Sequence, residues 1–434
     1  MSALTASGCE VRTDPLTRQL YATDASIYRM EPWGVAFPRD AAEAAAVIRA
    51  AAAQGVPLIP RGAGSGLVGG AIGAGLILDF SRHHRRISGL DLDRRTVRVG
   101  AGVVLDQLNA FLKPHGVAFG PDVATSSRAT LGGMIANDSS GARAPFYGTT
   151  AEHVESLELV LADGRVVETG AQPDAMAPQR CRATELISSH AGEVRKRMPP
   201  GLVKRWPGYG LSRWLREPGN LNHLLAGSEG TLAAIVSAEL RLVPLPREKG
   251  IGLVFFASVD EALQATVELL DLEPVAIEHV DRVLFDQTRG QLKFQPARDL
   301  LALDTEPCEA FLIVEFYDAV DERLAALAAR KLGLRTRLLR HPRELDLVWG
   351  LRKAGLSLLT GRPGPAKPVT GIEDVAISPK RLPEYVAALR ALLDPLGVAA
   401  CFYGHAGAGL LHVRPVLDLR QPEDLRKFRQ LCDE

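Results

Sequence analysis

Chemistry in this chain is most legible where glycine clusters. In RGAGSGLVGG, residues Gly64, Gly66 and Gly69 match the spacing G-x-G-x-x-G of a dinucleotide fingerprint. That fingerprint needs a helix directly after its glycines, because the pyrophosphate rests on the helix N-terminus. Here Gly70, Gly73 and Gly75 lead instead into the β-prone GLILDF, so a Rossmann reading fails. What remains is a run of backbone N–H groups freed of side chains, able to form a nest around a diphosphate, with Arg61 beside it. Taken alone, the loop could equally be a plain surface turn. Two further stretches of small residues shift the balance: PDVATSSRATLGGMIANDSSGARAPFYG, from Pro121 to Gly148, and LLAGSEGTLAAI. Three such loops suit a long cofactor that needs close backbone approach at several points. Near the end, GHAGAGLLH sets His405 and His412 on either side of a glycine turn. That arrangement could bring two imidazoles onto one divalent metal, although single histidines are more often structural.

The rest of the composition narrows the partners. Lys plus Arg and Asp plus Glu are both 51, so no global positive field exists to attract nucleic acid or an anionic membrane. The five cysteines (Cys9, Cys181, Cys308, Cys401 and Cys432) show no C-x-x-C spacing suited to zinc or an iron–sulfur cluster, and read as reduced packing residues. The N-terminus MSALTASGCEVRTDP lacks a basic start and an apolar core, and no later stretch reaches the roughly 20 apolar residues of a membrane span. A cytoplasmic location is expected.

These loops must be held by regular elements, and 434 residues imply more than one core. Asp40, with Glu43 three residues on, caps an alanine-rich helix closed by Gly55. VPLIP reads as a buried strand, GLILDF as a second, and Thr96 to Val104 as a third, followed by a helix ending at Gly116. VESLELVLADGRVVETG predicts a hairpin turning at Asp163-Gly164. Residues 171–222, basic and irregular, read as a surface insertion whose charges are solvated. Pro244 and Pro246 stop the next strand and place a boundary, giving domains 1–246 and 247–434. Beyond it, strands and helices alternate as in a small sheet with helices on one face. The last helix, EDLRKFRQLCDE, stops without a capping signal, so the chain reads as cut.

Together, RGAGSGLVGGA, PDVATSSRATLGGMIANDSSGARAPFYGTT and GSEGTLAAI resemble the FAD domain of the vanillyl-alcohol oxidase or p-cresol methylhydroxylase type, in its glycolate oxidase, D-lactate and D-2-hydroxyglutarate dehydrogenase branch. The resemblance implies an α+β chain, with a two-subdomain FAD-binding domain followed by a ferredoxin-like α+β substrate domain. It implies that Arg61, Gly62, Ala63, Gly64, Ser65 and Gly66, with Gly69 nearby, hold the FAD pyrophosphate. It sets Asp122, Thr130, Gly132, Gly133, Asn137, Ser139, Gly141 and Tyr147 along the cofactor, closed by Glu229, Gly230 and Thr231. Some relatives attach FAD through a histidine in the first loop; Ser65 stands there, so FAD is expected to be non-covalent.

The same resemblance covers VWGLRKAG and AKPVTGIEDVAI, and implies that Arg352 and Lys367 bind a substrate carboxylate. A guanidinium grips a carboxylate through two N–H groups and an ammonium adds a point charge. The hydroxyl contact expected four residues after the arginine falls on Leu356 and is lost. GHAGAGLLH resembles the GHAGDGNLH motif of metal-dependent D-2-hydroxy acid dehydrogenases, with Ala408 and Leu410 replacing Asp and Asn, and implies a metal, zinc by expectation, on His405 and His412. The catalytic histidine and a further glutamate of that family come in a Gly-Glu-His-Gly motif that would lie past Glu434. The implied whole is a bacterial flavoprotein fused to a C-terminal iron–sulfur domain. Its electrons would pass to that domain, a quinone (with peripheral membrane association through it) or an electron-transfer flavoprotein. The rival readings are an FAD-dependent alcohol oxidase, which needs neither the two cations nor the histidines, and a non-catalytic flavin-binding subunit.

Overall fold

The computed structural model describes residues 8–170, 173–204, 206 and 208–434. Residues 1–7, on which the reading of the N-terminus partly rests, lie outside them. The chain divides into two compact units. The first is made of Met1–Ser140, Thr149–Pro200 and Arg205–Leu245, the second of Gly141–Gly148, Gly201–Lys204 and Pro246–Glu434.

The first unit contains two main sheets. Strands β1 (Glu10–Arg12), β2 (Gly34–Phe37), β3 (Leu58–Arg61) and β4 (Leu76–Asp79) form one, in the order β1-β2-β4-β3. Helix Ala41–Ala53 packs on it, because alanine carries the lowest helical cost and the Asp40 carboxylate accepts the Glu43 N–H at 2.9 Å. Its Ala44, Val47, Ile48 and Ala51 meet Leu76 and Leu78 of β4. Strands β3 and β4 are parallel neighbours, Leu58 opposite Leu76, yet no helix joins them. The glycine loop 62–75 makes the whole crossover. β3 is half-buried, where a buried strand was expected.

The second sheet is antiparallel: β5 (Ile87–Asp91), β6 (Thr96–Gly100), β8 (Val154–Val160), β9 (Val166–Glu168) and β10 (Ala234–Arg241), in the order β5-β6-β10-β8-β9. A short ladder pairs β7 (Val117–Ala118) with β11 (Val243–Pro244). The hairpin β8–β9 turns at Asp163-Gly164 as its sequence predicts. The insertion 171–222 departs from expectation. Its helices bury Ile187 and Trp214, which join Leu157, Leu159 and Leu240 in one core, and its Arg213 is buried too. Arg213 donates Nη1 to Asp138 at 2.5 Å and Nη2 to Thr149 at 2.6 Å.

The second unit is built on one antiparallel sheet. Its strands are β12 (Lys249–Phe256), β13 (Ala276–Asp281), β14 (Ala310–Tyr317), β15 (Arg335–Leu339), β16 (Lys367–Pro368), β17 (Ile372–Ala376), β18 (Ala400–Gly404) and β19 (Leu410–Leu417). They run β15-β12-β14-β13-β18-β19-β16, with β17 also on β19. Helices cover both faces, not one. Ile251, Leu253 and Phe255 of β12 belong to a core with Leu284, Leu301 and Val348, while Val254 and Phe256 belong to another with Leu263, Leu324 and Val386. Near-continuous apolar strands such as AFLIVEFY are the sequence mark of a sheet buried on both sides. Among the described residues no helix is long and apolar enough to cross a membrane.

Arg213→Met takes one buried guanidinium from the Asp138 carboxylate, which also accepts from Ala151 N, and is expected to cost about 3–5 kcal/mol. Pairing it with Asp138→Asn should recover part of the loss. Urea midpoints of both variants test this, and a wild-type midpoint for Arg213→Met would contradict the buried-pair reading.

Candidate functional site

Within the first unit the three glycine loops converge. A Cβ placed on Gly62 would clash with Thr130 Oγ1 and sit 3.6 Å from Gly133 Cα; one on Gly70 would lie 3.3 Å from Glu229 Oε2, and one on Gly230 3.2 Å from Pro60. Backbone bonds fix the third loop to the second: Gly227 and Glu229 donate to the carbonyls of Ile135 and Ala136, each at 2.9 Å. Thr130 Oγ1 is buried and has no hydrogen-bond partner among the described residues. An orphaned hydroxyl beside glycines that tolerate no side chain is what a cradle for a polar ligand requires.

Other members of the predicted set have more local roles. Arg61 spends its guanidinium on carbonyls, donating to Ala71 at 3.0 Å, Thr23 at 2.8 Å and Tyr21 at 3.3 Å, and stacks over the Tyr21 ring. It thereby fastens the loop from within. Gly64 has φ +62°, and a Cβ there would lie 2.8 Å from Arg61 Nη2. Gly132 packs against Ala101, Gly69 against Tyr28, and Asn137 donates to Ser139 at 2.9 Å. Thr231 donates to Ser228 O at 2.6 Å and meets the Tyr209 hydroxyl at 2.8 Å. Ala63, Ser65 and Asp122 are half-buried. Gly141 and Tyr147 belong to the second unit, where Tyr147 packs on Phe146 and Tyr317.

In the second unit the sequence-predicted Arg352, His405 and His412 come together around a residue that sequence reasoning missed, Glu278. It stands in mid-β13, between Ala276 and Val280 of the same face, with a side chain 1% exposed. Its Oε2 lies 2.6 Å from Arg352 Nη2, in the last turn of helix Pro342–Lys353, and its Oε1 lies 2.7 Å from His405 Nδ1. A lone charge in the apolar strand VAIEHV was the available signal. The β13–β18 register puts His279 opposite Gly404, which places His405 beside Glu278. The turn between β18 and β19 is closed by His405 O, which accepts from Ala408 and Leu410, and it returns the chain so that Tyr403 faces His412. The rings of His405 and His412 are 5.3 Å apart at 80°. Two imidazoles on one zinc at their usual bond length would set their ring centres about 5 Å apart. Among the described residues no group of three or more His, Cys, Asp or Glu could hold a metal, so the pair is a partial donor set. Lys367 donates its ammonium to Arg362 O.

Burial alone would raise the Glu278 carboxyl, but Arg352 and His405 overcome it and hold the group down at about 2. Burial pushes His405 down to about 4, against the pull of Glu278 and assisted by the charge of Lys204, a residue of the insertion given no role beforehand. His279 is likewise lowered to about 4, mainly by burial. Asp281, which accepts from Phe402 N at 2.6 Å and Leu284 N at 3.0 Å, is raised by burial to about 6.

Two predictions follow from these environments. A Cβ on Gly66 meets no atom within 4 Å, so Gly66→Val should fold normally yet lower flavin content if the loop lies against the cofactor; full flavin occupancy would count against that. In metal-free protein, His279 and His405 stay neutral when folded and take up protons on unfolding between pH 6.5 and about 4, while Asp281 gives one up between about 6 and 3.8. The two imidazoles outweigh Asp281, and Glu278, held low when folded, adds to them at the acid end, so protons are bound on unfolding near pH 5 and stability should fall on acidification. Asp281→Asn should steepen that fall, and denaturation that is flat between pH 6.5 and 4.5 would overturn the assignment.

Residues 32–170 match the family model of an FAD binding domain, and residues 245–434 that of FAD linked oxidases, C-terminal domain. The chain is 34% identical to a D-2-hydroxyglutarate dehydrogenase of Pantoea ananatis, over 98% of this chain and 44% of that protein. It is 27% identical to a glycolate oxidase subunit of Bacillus subtilis, over 96% of this chain and 80% of that protein. In fold it resembles p-cresol methylhydroxylase, with a TM-score of 0.69 at 14% identity, over all of this chain and 86% of the other. The chain thus spans less than half the length of the dehydrogenase it matches.

Proposed function

We propose that the chain is the flavin- and substrate-binding part of an FAD-linked oxidase, whose two domain models it matches, and that the whole protein oxidises a small D-2-hydroxy acid, D-2-hydroxyglutarate before D-lactate or glycolate, to the 2-oxo acid. The observation that carries this reading is the buried chain Arg352–Glu278–His405 with His412 beside it. An alcohol oxidase has no use for a guanidinium and two imidazoles gathered at one buried point.

Arg352 meets the substrate carboxylate. Glu278 takes one edge of the guanidinium, while Arg352 Nε has no hydrogen-bond partner among the described residues and stays available to donate. Lys367 adds charge from β16. His405 and His412 are the two nitrogens on which a divalent metal, zinc by preference, would sit. Bound FAD supplies the acceptor for the C2 hydride, and that metal would lower the pKa of the 2-hydroxyl. The Thr130 hydroxyl and the glycine-freed amides of loop 62–70 receive the cofactor without a covalent bond, Ser65 standing where some relatives have a linking histidine. In a protein as long as the D-2-hydroxyglutarate dehydrogenase relative, the base that takes the hydroxyl proton, a further metal ligand and an iron–sulfur domain or other electron acceptor would lie outside these residues.

Anaerobic titration of the whole protein with D-2-hydroxyglutarate, D-lactate and glycolate should bleach the flavin with at least one of them, and not with the L-enantiomers of the chiral acids. Failure of every acid to reduce bound flavin would reject the proposal in favour of a non-catalytic flavin subunit. Arg352→Met should lower kcat/KM by roughly 10²-fold, in line with truncating one member of a buried charge pair. His405→Ala should remove bound metal, read by elemental analysis; unchanged metal content would displace the site from His405.

A further inference from the structure

We propose that Glu278 is a positioning residue: one carboxylate oxygen fixes His405 as the Nδ1–H tautomer, leaving Nε2 as the ligating nitrogen, while the other fixes the Arg352 guanidinium beside it. The role of Nε2 toward a metal rests on the function proposed above; the tautomer does not.

The sheet gives no reason of its own for a carboxylate here. Ala276 and Val280, on the same face of β13, are fully buried among apolar neighbours, and an aliphatic side chain at 278 would complete that surface. Buried ion pairs are often no more stabilising than apolar residues of similar volume. Both oxygens of Glu278 are nevertheless engaged by residues on different elements, Oε1 in a hydrogen bond with His405 at 2.7 Å and Oε2 in an ion contact with Arg352 at 2.6 Å. An ionised carboxylate only accepts, so His405 Nδ1 must be the donor, and a neutral imidazole then carries its lone pair on Nε2. Ring nitrogens held in this way by a carboxylate set the orientation and basicity of metal-binding histidines. Because Arg352 and His405 share one carboxylate, an anion that draws Arg352 toward itself leaves Glu278 more fully to His405. Carboxylate capture and metal ligation are thereby linked through a single side chain.

The test uses whole protein labelled with 15N-histidine, read by solid-state NMR, with the His405 signals identified from a His405→Asn difference spectrum. Metal-free wild type at pH 7 should show a protonated Nδ1 and a bare Nε2. Glu278→Met should shift His405 toward Nε2–H, whereas Glu278→Gln, which keeps an acceptor, should retain the Nδ1–H form. Cobalt(II) affinity, followed by its visible absorption, should drop roughly 10–100-fold in Glu278→Met and less in Glu278→Gln. If Glu278→Met fails to fold because Arg352 is left unpaired, Glu278→Met/Arg352→Met removes both charges and the same tautomer change is expected. A wild-type Nε2–H tautomer, or one unchanged by loss of the carboxylate, overturns the proposal. Wild type that binds no cobalt but keeps the Nδ1–H form instead removes the metal reading and leaves the positioning role in place.

Discussion

Taking a carboxylate out of water costs several kcal/mol unless charge and hydrogen bonds replace the solvent, and the second unit is arranged around Glu278 to make that replacement. Helix Pro342–Lys353 ends with Arg352 at one oxygen, and the β13–β18 register delivers His405 to the other. Three residues on from Glu278, Asp281 accepts from Phe402 N and Leu284 N and so ties β18 and the following short helix to the same strand. Tyr403 fills the space between the cations and His412, with Arg352 and Arg414 over its ring at 5.1 Å and 5.8 Å. Shifting β18 by one residue would turn Tyr403 to the opposite face and carry His405 out of register with Glu278.

The first unit solves a different problem. There the sequence removes side chains where the loops meet one another. The supports are polar and buried: Arg61 knits the first loop to the segment before β2, and Arg213 with Asp138 and Thr149 braces the second. Loop conformations that expose N–H groups lack the ladder bonds of a strand, so side-chain donors supply the missing restraint.

Much of this was readable from composition and spacing, and the parts that were not have physical causes. The capped alanine helix, the Asp163-Gly164 hairpin and the β18–β19 turn depend on contacts a few residues apart, which local sequence encodes. The failure of a Rossmann reading was legible because Gly75 runs straight into a strand. Glu278 was missed because its importance lies in Arg352 and His405, far along the chain, and only the sheet register brings them together. The second layer of helices over the β12–β14 sheet was missed for the same reason, since an apolar strand shows that both faces are covered without showing by what. The 171–222 insertion looked solvated because its basic residues outnumber its acidic ones and its pattern is irregular, yet Trp214 and Arg213 are among its most buried. The three carbonyl contacts of Arg61 are likewise announced by no pattern.

The eight residues Gly141–Gly148 continue the second glycine-rich motif but belong to the second unit, so the polypeptide passes back and forth instead of finishing one body before starting the next. Arg143, in that stretch, grips Glu315 of β14 through two bonds, at 2.6 Å and 3.0 Å, and lies over the Trp349 ring. Neither body is therefore a contiguous genetic cassette. Severing the polypeptide after Leu245 would strip the later piece of its own arginine and strand a buried acid, so recombination between relatives that swaps only one half must carry those eight residues along with the other.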